Sequence, residues 1–201
     1  MACTPRWLGA AVAALLSGAL FATNAPAADR LITGDAIELG KGTLAVRSRD
    51  ATIDLGAGVG SADDPTVNGG SVRVLSIEGD VFDQTYPLPA NGWRVLRRHG
   101  AAYGYAFTGP APIRRVRVKS GKILRVFGRG SGLGQTLGGD PAPVRVVLTL
   151  GKHQYCMSFG GTAAFTPGIR YAAHGAPAPD ICPLPYGNDA YWLCRPGMAN
   201  N

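Results

Sequence analysis

Apolar residues in this chain come in short alternating runs, closed roughly every 8–15 residues by glycine, proline or asparagine. That rhythm restricts the fold to sheet, because alternation puts one face of each run in a core and the other in solvent. Arg114–Lys119 sets Val116 and Val118 on one face and Arg115, Arg117 and Lys119 on the other. Ser120-Gly121 then reads as a two-residue turn, and Lys122–Phe127 returns. Pro143–Leu150 and His153–Phe159 read as a second hairpin around Gly151-Lys152, and Asp35–Leu39 with Thr43–Arg49 as a third around Gly40-Lys41-Gly42. Ala102–Thr108 alternates Tyr103, Tyr105 and Phe107 against Ala102, Gly104 and Ala106. Ala51–Leu55, Ser71–Glu78 and Trp93–Arg97 complete about nine strands, with no helical period anywhere after the N-terminal region. Glycine and proline together make 44 of the 201 residues, yet 46% of the chain is hydrophobic, so the turn residues separate strands rather than signal disorder. The expected fold is an all-β antiparallel β-sandwich, with a β-barrel as the alternative.

Residues 1–27 carry a different pattern. Arg6 precedes an apolar run from Trp7 to Phe21, and Ala25-Pro26-Ala27 supplies a small–x–small cleavage site. This is the arrangement of an export signal. Residues 7–22 offer 16 apolar-leaning positions, short of the ~20 a spanning helix needs. Cleavage after Ala27 would remove Cys3 and leave Ala28–Asn201 to be secreted or held in the periplasm. The expected division is a β-sandwich domain over 28–185 and a short tail over 186–201.

The net charge is +7, and its distribution matters more than its size. Ala28–Asp83 holds ten acidic and five basic residues, whereas Gln84–Gly139 holds ten basic residues and no acidic one. Within that block Arg115, Arg117, Lys119, Lys122 and Arg125 fall on or beside one hairpin. Such a stripe suits a solvated strand face, or contact with a polyanion such as an acidic polysaccharide or another cell-surface component. Nucleic acid is not the expected partner.

Residues for catalysis are sparse. Gly128–Gly139 is glycine-rich and reads as a flexible loop, but it lacks a Gly-Lys-Ser/Thr ending and a following helix, which argues against phosphate binding. No Gly-x-Ser-x-Gly occurs, and Glu38 and Glu78 are the only glutamates, with no spacing that pairs them across a glycosidic bond. His99, His153 and His174 are scattered, so no metal site and no cofactor is implied. Asp63-Asp64-Pro65-Thr66 with Asn68 could ligate calcium, or could simply shape a turn. Trp93, Tyr103, Tyr105, Tyr191 and Trp192 are available as sugar-stacking platforms, although packing in the core is the usual employment of such residues.

After cleavage three cysteines remain, Cys156, Cys182 and Cys194, an odd number that leaves one free or bonded to another chain. Cys182 has two candidate partners. Cys156 would anchor the Pro-rich tail to a strand, and Cys194 lies nearer in sequence but across Pro183 and Pro185.

Several segments, taken in order, resemble a family of uncharacterised exported bacterial repeat modules, all-β and found singly or in tandem. They are Leu44–Asp50, Asp64-Pro65-Thr66 with Gly69-Gly70, Val116–Leu124, Tyr155–Gly161, and Ala176-Pro177-Ala178-Pro179-Asp180-Ile181-Cys182-Pro183. The resemblance covers about residues 31–185. It implies a disulfide between Cys156 of the Tyr-Cys strand and Cys182 of the Ala-Pro-x-x-Cys-Pro tail, leaving Cys194 over. It also implies that a second staple is missing, since Ile113 and Phe127 stand where its cysteines would be, with an apolar contact expected between them. The family brings no activity with it. The expected function is a non-catalytic exported module for adhesion, scaffolding or ligand display; binding of an acidic polyanion and a cryptic hydrolytic enzyme are the alternatives.

Overall fold

The computed structural model describes residues 29–183. The expected signal segment, the 186–201 tail, Cys194, Tyr191 and Trp192 lie outside those residues.

Among the described residues thirteen strands, rather than about nine, build the fold. In chain order they are β1 (Asp29–Leu31), β2 (Gly34–Gly40), β3 (Thr43–Ser48), β4 (Gly70–Ser76) and β5 (Phe82–Leu88). Next come β6 (Trp93–Arg98), β7 (Ala101–Thr108), β8 (Ile113–Lys119) and β9 (Ile123–Arg129). The last four are β10 (Val144–Leu150), β11 (His153–Phe159), β12 (Thr162–Thr166) and β13 (Arg170–Ala176). A single helical turn, α1 (Pro65–Asn68), interrupts the loop before β4.

The strands form two open sheets, a sandwich and not a closed barrel. One has five strands in the order β1-β11-β10-β4-β5, and the other has eight in the order β12-β13-β2-β3-β9-β8-β7-β6. All pairings are antiparallel except that β1 runs parallel to β11.

The alternation seen in sequence becomes continuous rows across each sheet. On the inner face of the eight-stranded sheet, Ala173, Ile37, Val46, Val126, Val116, Phe107 and Trp93 stand opposite one another across seven strands. All seven are buried. Tyr86, Val72, Leu148 and Tyr155 make the matching row on the five-stranded sheet. Each residue's partner in these rows is another apolar residue, so a slip of one position would expose a whole row at once, which fixes the register.

Turns differ from expectation in two places. The β8–β9 connection is three residues, Ser120-Gly121-Lys122, because Lys119 pairs with Ile123; Gly121 takes a φ of +61° there. Ala51–Leu55 alternates in sequence but is a turn. Asp50 organises it by accepting hydrogen bonds from Thr52 N and Oγ1, at 2.8 and 2.6 Å, and from Thr33 N and Oγ1, at 2.8 and 2.9 Å.

The glycine-rich segment 128–139 is not a free loop. Leu133 and Leu137 enter the core. Gly134 N and Gln135 Nε2 donate to the Tyr86 hydroxyl, and Thr136 Oγ1 and Gly138 N donate to Asp80.

The disulfide joins Cys156 to Cys182 with their Cα atoms 5.4 Å apart, inside the normal bridging range. Cys156 points to the outer face of the five-stranded sheet, opposite Val147 and Leu31. Residues 177–181 border that face beside Arg145 and Ser158. The apolar contact expected between Ile113 and Phe127 does not form: Ile113 pairs with Gly128 and is buried, whereas Phe127 faces the opposite side, paired with Arg115 and 41% exposed.

Candidate functional site: a row of arginines on the outer sheet face

The outer face of the eight-stranded sheet follows from the same pairing, one residue out of step with the core row. His174, Ala36, Arg47, Arg125, Arg117, Ala106 and Arg94 lie opposite one another on β13, β2, β3, β9, β8, β7 and β6. Strands are about 4.8 Å apart, so Arg47, Arg125 and Arg117 stand on three consecutive strands at that spacing. Like charges placed directly opposite destabilise a sheet. Three in succession carry a mutual repulsion that a carboxylate, Asp35, relieves at Arg47.

The cations are not neutralised equally. Arg47 is paired with Asp35, which Arg49 also approaches at 3.6 Å, and Arg170 holds Glu38 at 3.2 Å. Arg94, Arg115, Arg117 and Arg125 are exposed and have no carboxylate partner among the described residues.

Small residues floor this face. Ala106 and Ala172 are only 5% and 6% exposed despite pointing outward, because the long neighbouring side chains shade them. Phe127 rises between two shallow depressions. One, of about 380 Å³, is lined by Glu38, Arg47, Arg125, Arg170 and His174; the other, of about 610 Å³, by Arg94, Thr108, Arg115, Arg117 and Arg125.

Of the five basic residues singled out in sequence, Arg115, Arg117 and Arg125 come together on this face. Lys119 shares the face but is half-buried, its Nζ 5.4 Å from the centre of the Tyr103 ring. Lys122 sits in the turn at the hairpin tip, outside the row. Sequence reasoning missed Arg47 and Arg94, on strands distant in the chain, and Phe127. Alternation of Phe127 with the inward Val126 was the available signal for its exposure. Trp93 and Tyr105 are in the core, which removes them as sugar platforms; Tyr103 is half-buried.

The Asp63-Asp64 loop makes local hydrogen bonds. Asp63 accepts from Ala57 N at 2.8 Å. Asp64 caps α1, accepting from Thr66 N and Oγ1 at 2.8 and 2.7 Å and from Gly60 N at 2.6 Å. Burial pushes the Asp64 carboxyl pKa up, and these hydrogen bonds more than reverse it, so the net shift is downward. His153 is buried, with Nε2 3.0 Å from Asp54 Oδ1 but not aligned as a hydrogen bond. Burial lowers its pKa although Asp54 opposes the shift. Among the described residues no three His, Cys, Asp or Glu side chains cluster as a metal site, and no helix is long and apolar enough to cross a membrane.

No family model, curated protein or solved structure matches the chain.

Proposed function

We propose that this chain is an exported, non-catalytic β-sandwich module that binds a polyanion, with an acidic polysaccharide of the cell surface or its surroundings as the partner. The observation that carries the reading is the row Arg47–Arg125–Arg117, continued to Arg94, on a face where four arginines have no carboxylate partner among the described residues. Mutual repulsion along such a row is relieved when a polymer of opposite charge lies over it, and release of the polymer's counterions then drives binding. Export to the periplasm or beyond is supported by the N-terminal pattern and by the Cys156–Cys182 bond, which persists in oxidising compartments. The ordered segments quoted above support membership of the exported repeat family.

The test is retention of the mature protein on heparin and alginate columns against a salt gradient. Retention that falls steeply with salt, and that the double substitution Arg117→Glu with Arg125→Glu abolishes, is expected. Elution at the salt concentration of a size-matched neutral protein overturns the reading.

A further inference from the structure

Resting on that polyanion reading, we infer that the ligand is a polyuronate, a polysaccharide with a carboxylate on each sugar residue. It lies across the strands, with one ring seated on Phe127.

Direction comes from the charge layout. On β9 the outward residues read Ile123, Arg125, Phe127 and Arg129, so the charge at Arg125 has apolar neighbours on either side along its own strand. Its charged neighbours, Arg47 and Arg117, are on the adjoining strands. A polymer running along β9 would meet alternating charge and hydrocarbon. One running across the strands meets a guanidinium at successive strands and again at Arg94, beyond the small Ala106.

The kind of polymer comes from Phe127. Its ring stands next to Arg115 across the strand pair and between Arg125 and Arg129 along its own strand, with Ala45 on the other side. An exposed aromatic set among cations matches a repeating unit that has both an apolar ring face and an anionic edge. A sugar ring with a carboxylate has both, and the guanidinium fork matches carboxylate geometry in two parallel hydrogen bonds. Polyphosphate has the charge but nothing to lay on Phe127. Single-stranded nucleic acid stacks successive bases on successive aromatics, and among the described residues the arginine row has one exposed aromatic beside it, Phe127. The two depressions flanking Phe127, of about 380 and 610 Å³, leave room for the neighbouring sugar residues.

Polygalacturonate, long-chain polyphosphate and a 20-residue oligothymidylate serve as probes, titrated calorimetrically against the mature protein at two salt concentrations. Phe127→Ala is expected to weaken polygalacturonate binding roughly five- to tenfold, to leave polyphosphate binding within about twofold, and to leave the salt dependence unchanged. Phe127→Tyr should restore the loss, whereas Phe127→Leu, which keeps bulk without the ring, should not. Arg94→Ala should weaken binding of both polyanions and flatten the salt dependence, while Lys122→Ala should do neither. Equal effects of Phe127→Ala on both polyanions, no effect on either, or tighter binding of oligothymidylate than of polygalacturonate each overturn this inference while leaving polyanion binding in place. Failure of all three probes to bind removes the earlier reading as well.

Discussion

Asp50 shows how much a single side chain holds in this fold. Four hydrogen bonds from Thr33 and Thr52 converge on its carboxylate and tie the entry to β2 to the turn that follows β3. Burial acts to raise its pKa, but those bonds outweigh it and bring the value to about 2, below the ordinary 3.8. A depressed carboxylate contributes stability that is complete above the unfolded value and is lost as pH falls through the folded one. Asp50→Asn should therefore cost about 1–3 kcal/mol at neutral pH, and its deficit relative to the wild type should close between about pH 4 and pH 2 in urea titrations. His153 works over a different range. Its folded pKa lies below 6.5 because burial disfavours the cation, so the unfolded chain takes up the proton first and stability declines as pH drops below about 6.5. Replacing it by leucine should flatten the pH 5–7 part of the stability profile. Tyr105 is fully buried with no hydrogen-bond partner for its hydroxyl, and burial, with Asp63 and Asp64 nearby, pushes its pKa up to about 12. Tyr105→Phe should be neutral or stabilising by up to about 1 kcal/mol, measured by thermal melting.

At the scale of elements, turn geometry and sheet position decide what a sequence reader can see. The hairpins β8–β9 and β10–β11 were legible because alternation survives through much of each arm, as in Val116 and Val118 on β8 and Val144, Val146, Leu148 and Leu150 on β10. β5 was not, since Pro87 sits in it; it is an edge strand, where a missing N–H goes unused. β12 is exposed nearly throughout and β13 is built largely from alanine and glycine, so neither has the contrast between faces that announces a strand. Ala51–Leu55 had the contrast and is a turn, because the threonine bonds to Asp50 overrode it. The β10–β11 turn is tightly constrained. Gly151 has a φ of +54°, and a Cβ there would lie 2.2 Å from the Ala62 carbonyl oxygen. Gly151 N donates to Gly69 O and Lys152 N to Ala62 O, so this turn also carries the 56–69 loop. Gly151→Ala should cost about 2 kcal/mol or more, read as a lowered urea midpoint with an unchanged slope.

Across the whole molecule, the arginine row is a product of topology. Arg47, Arg94, Arg117 and Arg125 span 78 positions of sequence, and only the order β3-β9-β8-β7-β6 lines them up. A sequence reader sees the local stripe of one hairpin, Arg115, Arg117 and Arg125, and cannot see its continuation, because strand order is set by non-local pairing. Phe127 was hidden for another reason. Reading it as the stand-in for a missing cysteine paired it with Ile113, whereas the shift in register between Ile113 and Arg115 puts Ile113 over Gly128 and leaves Phe127 on the other face, opposite Arg115. The residues alone left Cys182 two candidate partners; the resemblance implied Cys156, and that is the bond formed. On the chain-entropy argument, closing a loop of 26 residues contributes about 3–4 kcal/mol. Cys182→Ser should then lower the melting temperature by roughly 6–15 °C, checked by calorimetry.

That bond also has a mechanical side. The segment it encloses leaves β11 in the five-stranded sheet, crosses to form β12 and β13 in the eight-stranded sheet, and returns to Cys156 on the far side of the first. It is a closed covalent strap around one flank of the sandwich. Sliding or peeling one sheet away from the other must first strip β13 from β2, since the strap has a fixed contour. In a force spectrometer gripping the two sheets, the oxidised protein should resist separation at that flank and open from the β5 and β6 side, and a reductant should remove the asymmetry.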